Sequence, residues 1–249
     1  MTFSIIGRDP QTGEIGVAVA SRFFAVGAMV PHVRSDRAIA TQAFANPMYG
    51  VEGLRRLGAG ETGAAVLEDM TSRDAGAAQR QAHMLDTHGR FAAFTGAACV
   101  DWAGHASGAE CSVAGNMLAG PEVIEAMRTT YEASRGAPLT ERLMSALEAG
   151  EAAGGDKRGR QSAAIRVHHG QDWPHLDIRT DDHADPLAEL RRLLAVADER
   201  YLHFAEVLAT RENFSGTPDR AGLDAAIRAA EESRRALGVE SASFATPLT

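Results

Sequence analysis

The 249-residue chain has one lysine, Lys157, two cysteines, Cys99 and Cys111, and few aromatic residues, 6% of the total. Any mechanism that needs a lysine base, a Schiff base or a phosphate-cradling lysine has only Lys157 to use. Its setting, Gly154-Gly155-Asp156-Lys157-Arg158-Gly159, is not the Gly-x-x-x-x-Gly-Lys-Ser/Thr of a phosphate loop. No Cys-x-x-Cys occurs, which argues against a zinc ribbon or a thioredoxin-like site. The two cysteines read as free thiols of a single hairpin, close enough to face each other across strands. A formal net charge of -8 and the scarcity of aromatics argue against a nucleic-acid surface, which needs basic patches and stacking platforms. No apolar run reaches membrane-spanning length, so no membrane partner is expected. A basic segment followed by an apolar one is also missing at the start, and a cytoplasmic location is the expectation.

What is present begins at the second residue. Phe3, Ile5 and Ile6 have strand character, Asp9-Pro10-Gln11-Thr12-Gly13 is a turn, and Ile15, Val17 and Val19 alternate as a second strand. Arg37–Phe44 predicts a third strand, running into the loop Ala45-Asn46-Pro47-Met48-Tyr49-Gly50. Helical spacing is expected from 50 to 88, in three pieces: one with Val51, Leu54 and Leu57, one with Ala65, Leu67 and Met70, and one from Gln79 to Leu85. Strands are expected at Phe91–Gly96, Cys99–Trp102 and Glu110–Met117, then helices from Pro121 and from Leu139-Thr140 with Thr140 as cap. Strands resume at Gln161–Val167 and His175–Arg179, and helices at Asp185-Pro186 and from Arg220 to Leu237. Frequent hairpins without strict βαβ alternation predict an α+β fold with antiparallel sheets. The domains expected are 1–184 and a helical C-terminal extension, 185–249.

The chemistry-bearing positions are few. Thr2 is small enough to permit removal of Met1. A free N-terminal threonine carries its own base, because an α-amine titrates near 7.7 to 8.0. Asn116, after a strand and before a helix, is placed to stabilise an oxyanion. Asp156, Arg158, Gln161 and Ser162 lie where a polar glycine-rich loop enters a strand. Ser21 and Arg22 end the second strand, Gln42 lies on the third, and Asn46 in the loop after it. The histidines have no metal-site spacing: His168 and His169 face opposite ways on a strand, and His83 and His88 are five apart on an expected helix. No metal and no cofactor is expected.

Thr2-Phe3-Ser4-Ile5, Gly16–Gly27, Ala40–Gly50, Val113–Leu118 and Gly155–Ala164 together resemble the family called DUF1028, over roughly residues 2 to 192. That family is placed in the N-terminal nucleophile (Ntn) hydrolase superfamily. The resemblance implies a four-layer αββα sandwich of two stacked antiparallel sheets. It also implies amide-bond hydrolysis, with Thr2 at the end of the first strand. The reading that follows has Thr2 and Asn116 catalytic and Ser21, Arg22, Gln42, Asn46, Asp156, Arg158, Gln161 and Ser162 binding a small amide or short peptide. Proteasome-type relatives carry Asp-Ser-Arg after the second strand and a lysine on the third. Here Ala20 precedes Ser21-Arg22, and Arg22, Arg34 or the Asp156–Arg158 pair is left to supply charge near the amine. The alternative is a non-catalytic small-molecule-binding protein on the same fold, and a metal-dependent hydrolase built on the histidines is a third reading. The apolar C-terminal helices make a homodimer plausible.

Overall fold

The computed structural model describes residues 2–245. The chain divides into two compact units, Met1–Leu187 and Ala188–Thr249. The first opens with the hairpin β1 (Thr2–Arg8) and β2 (Glu14–Ser21), followed by a short helix α1 (Val26–Met29), β3 (Pro31–Val33) and β4 (Ala38–Ala43). Next come α2 (Pro47–Gly58), α3 (Gly63–Arg73), β5 (Arg80–Leu85), β6 (Phe91–Thr95), β7 (Gly104–Ser107) and β8 (Cys111–Asn116). Helices α4 (Pro121–Ala133) and α5 (Leu139–Ala152) precede β9 (Ser162–His169) and β10 (Leu176–Thr180). Helix α6 (Pro186–Val196) leads into the second unit, where a π-helical turn, α7 (Leu202–Ala205) and α8 (Arg220–Ala236) follow.

The strands form two antiparallel sheets, a six-stranded one in the order β10-β9-β2-β1-β8-β7 and a four-stranded one in the order β3-β4-β5-β6. The α+β reading holds. Period-two alternation sorts β1 between two faces. Phe3, Ile5 and Gly7 share the other face, towards α5, where Phe3 lies close to Gly150, and Tyr131 of α4 packs on Gly7. Ile6 joins Ile15, Val17, Val19, Ala38, Ala40 and Leu85 in an apolar cluster between the sheets. A second cluster, with Ile39, Leu54, Leu57, Val66, Met70 and Met84, seals the far face of the smaller sheet under α2 and α3. Each sheet thus has helices on its outer face and the other sheet on its inner one.

Two expected elements are replaced by others. Gln79–Leu85 is not a helix: after a single 3-10 turn at Ala77–Gln79 it becomes the central strand β5, so His83 lies in a strand and His88 in the turn after it. Cys99–Trp102 is a loop, tied down by Met117 N–H to Val100 O and Leu118 N–H to Trp102 O. Both cysteines are free, and burial pushes the Cys111 thiol up to about 11, too high for a reactive thiolate at neutral pH. Helix α5 is preceded by Pro138 and not capped by Thr140. Among the described residues no helix is long and apolar enough to cross a membrane, and no group of three or more His, Cys, Asp or Glu side chains could hold a metal ion.

Candidate functional site

Strand β1 is central in its sheet, and Thr2 is its first residue. In the β1–β8 ladder Thr2 stands opposite Asn116, and on the other side its hydroxyl lies 3.1 Å from the Ser21 hydroxyl at the end of β2. All three are buried, Thr2 being 6% exposed. Alternation puts Thr2, Ser4 and Ile6 on the inner face, where Ile6 belongs to the apolar cluster and the other two do not.

Ser4 and Asn116 open onto a buried polar layer between the sheets. Gln81, on β5, is its centre. Its Nε2 donates to the carbonyls of Gly115 (2.8 Å) and Gly104 (3.0 Å) and to the Thr95 hydroxyl (2.9 Å). Its Oε1 accepts from Gln42 Nε2 (2.8 Å) and Asn116 Nδ2 (3.0 Å). Gln42 Nε2 also donates to Ala114 O, so Gln42 Oε1 is the acceptor for the Ser4 hydroxyl at 2.7 Å. The Ser4 proton is thereby used, and Ser4 Oγ must accept from His83 Nε2 at 2.9 Å. His83 Nδ1 is then the acceptor for Ser112, which in turn accepts from Ser107. The chain of donors fixes a neutral Nε2–H tautomer for His83. Burial, with a smaller contribution from His105, pushes the His83 pKa down to about 3.

The strands stop abruptly at this end. Ala43, just after Gln42, and Met117, just after Asn116, have φ of 67° and 55°. That left-handed conformation costs a non-glycine residue roughly 1 kcal/mol, which the surrounding structure must offset. The Gly154–Arg158 segment bridges the ends of the two strands that flank β1. Asp156, buried, accepts from Arg22 N at 2.9 Å and Arg158 N at 2.8 Å, beside the end of β2. Leu118 and Asp156 form a β-bridge, and Ala119 N donates to Gly155 O, beside the end of β8. Gly154 and Gly155, at φ of 113° and 44°, supply turns that side chains resist. Replacing Asp156 by alanine is expected to lower stability by about 1–3 kcal/mol, since two backbone donors lose a carboxylate. It should also speed trypsin cleavage after Lys157 and Arg158. Unchanged melting and unchanged cleavage would show that Asp156 does not hold the segment.

The residues singled out in the sequence therefore divide. Thr2, Ser21, Asn116 and Gln42 belong to one connected cluster, and Asp156, Arg158 and Arg22 border it. Arg22 is exposed, and Arg158 Nη2 reaches Arg22 O at 3.3 Å. Lys157 Nζ donates to Asp101 O. Gln161 faces elsewhere, with Nε2 on Asp182, while its backbone N–H donates to Ser21 O. Ser162 is occupied by the turn after β2, donating to Phe23 O and accepting from Val26 N. Asn46 caps α2 through Met48 N and donates to Asp74, on the wall of a cavity of about 300 Å³ that also includes Tyr49, Met70 and Arg73. Burial raises the Tyr49 hydroxyl there to about 12. Met1 lies outside the described residues. Reading the sequence missed Ser4, Gln81, His83 and Ser112. Their signal was a polar residue at every second position, Thr2-x-Ser4 and Gln81-x-His83, in segments otherwise apolar.

Comparison with known proteins places this geometry. A family model described as a family of unknown function, DUF1028, matches residues 2–190. The chain belongs to this family. Among solved structures, the crystal structure of protein SPO2555 from Silicibacter pomeroyi, of the same DUF1028 family, is 32% identical with a TM-score of 0.81. The alignment covers 88% of this chain and 99% of that one. No curated protein matched the chain. The match to the DUF1028 model spans β1 to β10, so every residue of the Thr2 cluster and its bordering segment falls within the shared region.

Proposed function

We propose that this DUF1028 protein is an N-terminal nucleophile amidohydrolase of the αββα type, cleaving a small amide or a short peptide with Thr2 after removal of Met1. The observation that carries the reading is the placement of the Thr2 hydroxyl. It stands at the free end of a central strand, 3.1 Å from a second hydroxyl, Ser21, and opposite Asn116. Thr2 Oγ attacks the amide carbonyl carbon, forming a C–O bond, while the Thr2 α-amine takes the hydroxyl proton. Collapse of the tetrahedral intermediate breaks the C–N bond, and that proton passes to the departing nitrogen. The ester left on Thr2 is then hydrolysed by water, which releases the carboxylic acid and restores the hydroxyl. No step calls for a cofactor. Ser21 orients the nucleophile. Exposed Arg22, with Lys157 and Arg158 nearby in a chain of net charge -8, favours substrates that carry a carboxylate. A second reading, a binding protein without turnover, draws on Ala20, which stands where proteasome-type sites carry an acid, and on the neutral hydroxyl that is the Thr2 side chain's partner. A β-lactone electrophile separates the two. The hydrolase is acylated on the tryptic peptide Thr2–Arg8, at Thr2. A protein that binds a small amide but takes no acyl group there is the binding protein.

A further inference from the structure

We infer that this chain forms a two-fold homodimer through its C-terminal unit, in which Phe214 of each copy is buried in an apolar pocket beside the same turn of the other. The dimer is independent of the chemistry at Thr2.

The pocket lies between α7 and the start of α8. Phe204, Val207, Leu208, Pro218 and Leu223 line it, and its volume is about 380 Å³. Roughly 150 Å³ of apolar cavity accommodates benzene, so a phenyl ring fits. Phe214 stands on the turn that borders this pocket, since its neighbours Ser215 and Thr217 are part of the wall. Its own ring is outside: Phe214 is 93% exposed, more than any other large apolar residue described. The turn holds it there. Thr210 N donates to Asn213 O (2.8 Å), Asn213 N to Thr210 Oγ1 (2.9 Å) and Asn213 Nδ2 to Gly216 O (2.8 Å). Thr217 N donates to Val207 O, and a Cβ on Gly216 would stand 2.5 Å from that same oxygen, so the turn closes tightly on the segment after α7. A braced turn loses little freedom when its tip is buried, and an apolar ring that it holds in water marks a contact surface.

The occupant follows from the two parts lying side by side. A knob and a matching hole on one face satisfy each other twice about a two-fold axis, which closes the assembly at two copies. Charge agrees with this pairing. The turn carries Arg211 and Glu212, and the pocket rim Asp219 and Arg220, one charge of each sign on either side. Two copies therefore meet there without an excess of like charge. All of these residues lie beyond the family match, which ends at 190.

Sedimentation velocity of the full-length chain over about 1 to 200 μM tests the dimer, and wild type should show a monomer–dimer equilibrium within that range. Phe214→Asp should weaken association at least about 100-fold, because an anchor is lost from each copy. Its melting temperature should be unchanged, since the side chain removed is exposed. Ala209→Trp, which fills the pocket from its exposed wall and leaves Phe214 in place, should weaken association similarly. A third measurement uses only the wild-type sequence and so stands even if Ala209→Trp fails to fold. In a mixture of isotope-labelled and unlabelled wild-type chains, filtered NMR should give intermolecular NOEs from the Phe214 ring to the Leu208 and Leu223 methyls. A wild-type chain that stays monomeric at the highest concentration would overturn the inference. So would a dimer that Phe214→Asp leaves intact, or one without those NOEs.

Discussion

Thr2→Ala should abolish turnover of any amide the protein hydrolyses, by a factor on the order of 10⁴ or more, while leaving the fold intact. Removing a nucleophile costs this much because the acyl-enzyme route is closed entirely and only binding and electrostatic effects remain. The fold is spared because, among the described residues, the Thr2 side chain makes one neutral hydrogen bond, to Ser21, worth about 1 kcal/mol. Thr2→Ser keeps both the hydroxyl and the α-amine, and its rate should remain within about tenfold. Release of carboxylic acid from a panel of small amides and short peptides, followed by chromatography, reads both variants. Turnover that survives in Thr2→Ala at the wild-type rate would mean another nucleophile acts.

The second large effect is on stability in acid. His83 has a pKa of about 3 in the folded protein against 6.5 ordinarily, chiefly because burial disfavours the imidazolium. Above pH 6.5 both folded and unfolded chains hold a neutral imidazole, and its full contribution is present. Between pH 6.5 and about 3 the unfolded chain takes up a proton that the folded one refuses. Stability therefore falls with pH across that window, by up to about 1.4 kcal/mol per unit and on the order of 4 kcal/mol in all. That is a large part of the ~5–15 kcal/mol typical of a whole domain. Other histidines with lowered values, His32 and His168, add to the slope in the same direction. The difference between wild type and His83→Gln isolates the share of His83. Urea unfolding at pH 7 and pH 5 should show wild type losing about 2 kcal/mol more than the variant. Equal losses would show that His83 is not held neutral by the buried layer.

The failure to see β5 in the sequence has the same physical origin as that titration. Gln-Ala-His-Met-Leu is rich in helix formers, and its polar positions suggest a solvent face. In the fold that polar face is fully buried, like the apolar one behind it. Gln81 and His83 are satisfied by Gln42, Ser4, Ser112, Asn116 and two backbone carbonyls drawn from β1, β4, β7 and β8. Partners so distant in sequence leave no local trace. By contrast, β1 and β2 alternate over an apolar interior and were legible at once, as were α4 with its opening Pro121 and the Gly-Gly turn before Asp156. Ser162 and Asn46 show the opposite limit. Each has the polarity of a site residue, yet each is used to hold a turn or cap a helix near the ends of β2 and β4. Residue type marks where polar groups gather, and the pairing of strands decides which of them meet Thr2.

The central claim needs a free amine on Thr2, and the intact mass of the purified protein tests it most directly. A mass short of one methionine residue, with threonine first in N-terminal sequencing, is the result expected. A mass that retains methionine in full would leave Thr2 without its base and contradict the hydrolase reading, in favour of a binding protein.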